Sequence, residues 1–78
     1  MPKIPRIKAK DFLKYLIKYD CTEISITGSH HKVKNNKNGK ISVVAVHSNE
    51  ILCVGLFSAI LKQLEIDLND FINFMDLK

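Results

Sequence analysis

The spacing of apolar residues along this chain switches from helical to alternating and back, and the switches divide it into elements. Phe12, Leu13, Leu16 and Ile17 recur at helical spacing and predict an amphipathic helix from about Lys8 to Tyr19 with these four on its buried face. No residue ahead of it is a strong N-cap. From Thr22 to Thr27 the period becomes two: Ile24 and Ile26 alternate with Glu23, Ser25 and Thr27, the pattern of a strand. Gly28 breaks the alternation and permits a turn of positive φ. A second strand is expected over His30–Asn35, with Val33 and His31 facing the core and His30, Lys32 and Lys34 facing away; a bulge at Gly28 would exchange the faces of the two histidines. Asn38-Gly39 marks a hairpin turn. The third strand is expected over Lys40–His47. Ile41, Val43 and Ala45 alternate there with Ser42, Val44 and Val46, so both faces are largely apolar and this strand is expected at the centre of the sheet.

After a connector over Ser48–Val54, the helical period returns. Leu56, Phe57, Ile60, Leu61 and Leu64 predict a helix over Gly55–Leu64 with Lys62 and Gln63 exposed. Asp67 is a good N-cap for a last short helix over Leu68–Met75, with Leu68, Phe71, Ile72 and Met75 on one side. The order αβββα plus a C-terminal helix predicts an α+β fold: a three-stranded antiparallel sheet with helices on one face. Seventy-eight residues suffice for one small domain, expected over 1–78. At the N-terminus, Pro5 biases Ile4 towards an extended conformation.

Charge adds a direction to this picture. Residues 1–40 carry ten basic side chains against Asp11, Asp20 and Glu23, whereas residues 41–78 carry Lys62 and Lys78 against five acidic ones. So uneven a distribution suits a polyanionic partner, although a solvated lysine surface is the plainer reading of charge alone. Lys10, Lys14 and Lys18 fall four apart and form one stripe on the first helix. No run is long and apolar enough to span a bilayer and the N-terminus lacks a signal-peptide core, so a cytoplasmic location without membrane contact is expected. The two cysteines, Cys21 and Cys53, are expected to be reduced and buried.

The densest chemistry lies in Gly28-Ser29-His30-His31-Lys32-Val33-Lys34. Histidine titrates near neutrality and suits proton transfer; lysines and backbone N–H groups suit the stabilisation of phosphoryl oxygens. His30, which shares a strand face with Lys32 and Lys34, is the leading candidate for catalysis. His31 is the runner-up and is expected mainly to pack, and His47 is an auxiliary candidate. Gly28, Ser29, Lys32, Lys34, Lys10 and Lys14 are candidates for holding a phosphate backbone. Tyr15 and Tyr19 are expected to pack at the edge of the core rather than stack on bases. Zinc is disfavoured: adjacent histidines point to opposite sides of a strand and neither cysteine belongs to a Cys-x-x-Cys pair. No metal or other cofactor is expected.

Read together, Phe12-Leu13-Lys14, Gly28-Ser29-His30-His31, Val43-Val44-Ala45-Val46-His47 and Ser58-Ala59-Ile60-Leu61-Lys62-Gln63-Leu64 occur in an order and at spacings that resemble the HicA toxins, small bacterial mRNA interferases of type II toxin–antitoxin pairs. Three local departures accompany the likeness: Ala45-Val46-His47 stands for Pro-x-His, Lys18-Tyr19-Asp20-Cys21 for a Lys-x-Gly-Phe turn, and Gly55-Leu56 for Gly-Thr. The resemblance implies a fold like a double-stranded-RNA-binding domain. It also implies cleavage of mRNA or other single-stranded RNA dependent on His30, without DNA contact by the chain itself, and a HicB-like antitoxin that covers the active site. RNA supplies its own nucleophile, the 2′-hydroxyl, so no metal-activated water is needed. The same charge asymmetry would suit a non-catalytic RNA-binding module, and the acidic, apolar C-terminal third would suit a structural partner subunit.

Overall fold

The computed structural model describes residues 6–76. The elements are α1 (Ala9–Lys18), β1 (Cys21–Thr27), β2 (His30–Asn35), β3 (Ile41–Ala45), α2 (Val54–Gln63) and α3 (Leu68–Asp76). The strands form an antiparallel sheet in the order β1-β2-β3. Ala9, Phe12, Leu13 and Leu16 of α1, Phe57, Ile60 and Leu61 of α2, and Phe71 and Ile72 of α3 share one buried cluster with Cys21, Val33 and Val44 of the sheet. All three helices therefore lie on one face, and the other face is uncovered. This is the α+β, three-stranded open-sheet arrangement of a double-stranded-RNA-binding-like fold. The expectation for Ile4 and Pro5 falls outside the described residues.

Three phenylalanines anchor the core. Phe12 lies 4.8 Å from Phe57 and 5.6 Å from Phe71, ring centre to ring centre, and all three are essentially inaccessible to solvent. Tilted and edge-on contacts of this kind contribute beyond the area they bury. Tyr19 packs edge-on against Phe71 and Phe74, and Tyr15 against Phe74, so both tyrosines are engaged by α3 as core-edge residues.

The helix ends rely on different devices. α1 has no side-chain cap. Its start is instead tied by backbone to the connector before α2: Ala9 N–H donates to Glu50 C=O (3.2 Å) and Leu52 N–H to Ile7 C=O (2.8 Å). Asp20, in the turn that follows α1, takes a left-handed φ of 76°. α2 ends in a two-bond cap, with Ile66 N–H donating to Leu61 C=O and Glu65 N–H to Lys62 C=O. Glu65 holds the left-handed position there, at φ 56°. Asp67 caps α3 as expected, its Oδ2 accepting from Asp70 N–H at 3.0 Å.

Several expectations need correction. β3 is an edge strand, not the central one, and it is shorter than Lys40–His47. Two successive hairpins necessarily put β2 in the middle. Ser42 and Val44 of β3 are buried, but Ile41 and Val43 face outwards and stay 47% and 43% exposed. Apolar residues on both faces had suggested cover on both faces, and only one face has it. Ile17 and Leu56, expected on buried helix faces, are 45% and 51% exposed. Each lies at the margin of its apolar stripe, beyond the reach of the opposing layer. Cys53 is exposed; only Cys21 is buried.

Candidate active site

β2 is unbulged over its whole paired length, and this settles which way its side chains face. The irregularity in the sheet lies in β1, where the register shifts between Glu23 and Ser25 and Ile24 is the extra residue. Val33, with Ser42 opposite, points into the core. His30, Lys32 and Lys34 consequently share the uncovered face. Their neighbours across β1 are Thr27, Ser25 and Thr22, and across β3 Ala45, Val43 and Ile41. The outer face is thus a ridge of one imidazole and two ammonium groups, spaced at about 7 Å along the strand. Hydroxyls flank it on one side and apolar side chains on the other. No carboxylate occurs among these paired residues, and neither lysine forms an ion pair among the described residues.

His30 follows a two-residue turn. Gly28 has φ +59° and Ser29 does not share the positive sign, the arrangement of a type II′ hairpin turn. A Cβ at Gly28 would meet nothing within 4 Å, so backbone conformation rather than space selects glycine there. Ser29 C=O accepts from Val46 N–H at 2.8 Å. That bond flanks the His30–Ala45 pair and identifies it as a non-hydrogen-bonded one, in which opposing side chains approach most closely.

His31 faces the helical side, as strand alternation predicted. Its Nδ1 lies 2.7 Å from Glu23 Oε2, and its side chain is 19% exposed. Glu23 pairs with Val33, so the contact is diagonal across β1 and β2. This carboxylate–imidazole pair was not foreseen. The bulge that makes it a diagonal neighbour has no signature in a run of alternating residues.

The α1 lysines lie elsewhere. Lys10 and Lys14 sit on the solvent side of α1, in the layer behind the sheet, so they do not join His30. Lys14 and Lys18 line a cleft of about 530 Å³ with Arg6 and Tyr15, beside the carboxylates of Asp11 and Asp76. His47 lies two residues beyond Ala45, past the end of β3, on an exposed turn closed by Glu50 N–H donating to His47 C=O (2.9 Å). Burial pushes the Cys21 thiol up to about 11, with the neighbouring Asp20 charge adding to the effect. That thiol, 3% exposed, serves as a packing group of the core. Among the described residues no three His, Cys, Asp or Glu side chains gather as a metal site, and no helix is long and apolar enough to cross a membrane.

An open antiparallel sheet backed by helices, with a basic ridge on its bare face, defines a small α+β protein of the double-stranded-RNA-binding-like class. The family model described as the HicA toxin of bacterial toxin–antitoxin systems matches residues 9–66, and the chain belongs to that family. It is accordingly the toxin member of a toxin–antitoxin pair. No curated protein and no solved structure matches it.

Proposed function

We propose that the protein is an mRNA interferase, an endoribonuclease that cleaves single-stranded RNA through the substrate's own 2′-hydroxyl and so inhibits translation. The observation that carries this reading is the placement of His30, Lys32 and Lys34 on the bare face of the central strand. A strand laid along β2 meets both lysines with its phosphates. His30 is then in position to remove the 2′-hydroxyl proton or to protonate the departing 5′-oxygen. Attack of the 2′-oxygen on phosphorus breaks the bond to the 5′-oxygen and leaves a 2′,3′-cyclic phosphate and a 5′-hydroxyl. Lys32 and Lys34 offset charge on the phosphoryl oxygens as it develops. The work is cytoplasmic, and the partner is a HicB-like antitoxin that covers this face.

The test is a denaturing gel of RNA incubated with EDTA-treated protein. Wild type should give fragments ending in cyclic phosphate or its opened form, and His30→Ala should abolish them. Fragments carrying 5′-phosphates, or undiminished cleavage by His30→Ala, would refute the scheme. Salt-sensitive RNA binding without fragments would mark a non-catalytic RNA-binding module instead. One observation favours a second assignment within the same reaction. Glu23 orients the His31 ring through Nδ1, an arrangement that elsewhere prepares imidazoles for proton transfer. If His31 carries the reaction, His31→Ala abolishes cleavage while His30→Ala spares it. If the pair is structural, His31→Ala lowers thermal stability and the folded fraction still cuts.

A further inference from the structure

Where β3 ends and the connector to α2 begins, the surface holds a second cleft of about 230 Å³. Its lining includes Ala45, His47, Glu50, Ile51, Cys53 and Leu56. Ala45 links it to the candidate active site, because Ala45 is the residue directly opposite His30 in the sheet. Ile51 and Leu56 are apolar, yet 42% and 51% exposed. They are two of the three exposed large apolar residues in the 51–56 segment, and both give onto this one hollow. His47 and Glu50 are exposed beside them, held together by the turn in which Glu50 N–H donates to His47 C=O. Neither side chain has an ion-pair or hydrogen-bond partner among the described residues.

We propose that this cleft is a nucleobase slot, which takes the base next to the scissile phosphate of an RNA strand crossing the outer sheet face. The proposal rests on the reading of His30 as the proton-transfer residue. The hollow is well below the size of a site for a drug-sized ligand, and a flat single ring system is the component of RNA that suits apolar walls. Reach follows from the sheet. His30 and Ala45 form a close non-hydrogen-bonded pair, so a phosphate held at His30 has its attached nucleoside within a few ångströms of the cleft. The rim chemistry then sets a preference. A carboxylate accepts hydrogen bonds and donates none, so Glu50 favours bases that present an amino group over uracil, whose single edge donor, N3–H, lies between two carbonyls that the carboxylate repels. Ile51 and Leu56 contact the base face, which every base has, and contribute affinity without discrimination.

The experiment digests a random-sequence RNA with wild-type protein, Glu50→Gln and Leu56→Ser, and sequences the fragment ends on both sides of every cut. Both substituted residues are exposed, and thermal melting confirms that each variant is folded. Wild type should favour amino-bearing bases over uracil at one of the two flanking positions by about tenfold, the scale of a good edge contact. Glu50→Gln should bring that ratio to within about twofold, because an amide donates as well as accepts. Leu56→Ser should lower the cleavage rate about fivefold with the ratio retained. Fragments with no flanking bias, or a bias unchanged in Glu50→Gln, overturn the slot and leave the nuclease reading intact. If wild type yields no fragments at all, the nuclease reading fails and the slot with it.

Discussion

Replacing Asn35 with alanine tests how the active-site strand is held to the helical layer. Asn35 ends β2 and is 5% exposed, a buried amide in a small core. Its Nδ2 donates to Leu64 C=O at 2.8 Å, and its Oδ1 accepts from Lys37 N–H at 3.0 Å. One side chain thus ties the central strand to the C-terminal end of α2 and also shapes the β2–β3 turn. Each intramolecular hydrogen bond contributes about 1 kcal/mol net, so Asn35→Ala should cost about 2 kcal/mol. The full penalty of an orphaned carbonyl is avoided in the single variant, because Asn38 Nδ2 also donates to Leu64 C=O, at 3.2 Å. In the double variant Asn35→Ala/Asn38→Ala that carbonyl loses both side-chain donors. The combined loss should then exceed the sum of the single losses by about 1 kcal/mol. Urea unfolding followed by circular dichroism measures all four proteins. For a domain this small, 2 kcal/mol corresponds to a fall of about 8–16 °C in Tm. A loss below about 0.5 kcal/mol in the single variant, or strict additivity in the double one, would refute this account of the Leu64 carbonyl.

Four further outcomes are expected. Lys32→Ala and Lys34→Ala should each reduce the slope of log K against log salt for single-stranded RNA by about 0.7, whereas Lys10→Ala and Lys14→Ala, in the layer behind the sheet, should leave it unchanged; equal effects from all four would place the RNA elsewhere. Glu65→Gly should stabilise the protein by about 0.5–1 kcal/mol in urea melts, since glycine accepts the left-handed conformation without a Cβ penalty, and the exposed Lys40–Glu65 contact at 3.4 Å contributes little. At alkaline pH, burial and then Asp20 raise the Cys21 thiol from its usual 9 to about 11, and burial followed by Asp70, Asp67 and Cys21 raises the Tyr19 phenol. The folded state therefore holds these protons more tightly; the Cys21 contribution, present below pH 9, should be lost between about 9 and 11, and the Tyr19 contribution is lost above its ordinary 10. In the same range a thiol reagent should modify Cys53 of the native protein at once and Cys21 only on unfolding.

Much of the architecture could be read from periodicity. The three helices and three strands fall where the apolar spacing changes, and Gly28, Gly39 and Asp67 perform the turn and cap roles their side chains suggest. The facing of His30, Lys32 and Lys34 was legible on the condition that β2 is unbulged, and only the pairing of the strands shows that it is. The place of β3 in the sheet was misjudged. Ile41 and Val43 carry no mark that tells a covered face from a bare one, and strand order follows from the connections rather than from side-chain polarity.

What the sequence by itself determined is local: which segments are helix or strand, where the chain turns, and which neighbours along a strand share a face. Those properties depend on backbone periods of a few residues. What only the tertiary structure decided depends on residues far apart in the chain. The bulge at Ile24 brings Glu23 to His31, the backbone bonds from Ile7 and Ala9 fasten the connector before α2, and the ladder from His30 to Ala45 sets the second cleft beside the candidate active site. Each arises from the pairing of separate segments, which no spacing within either segment encodes.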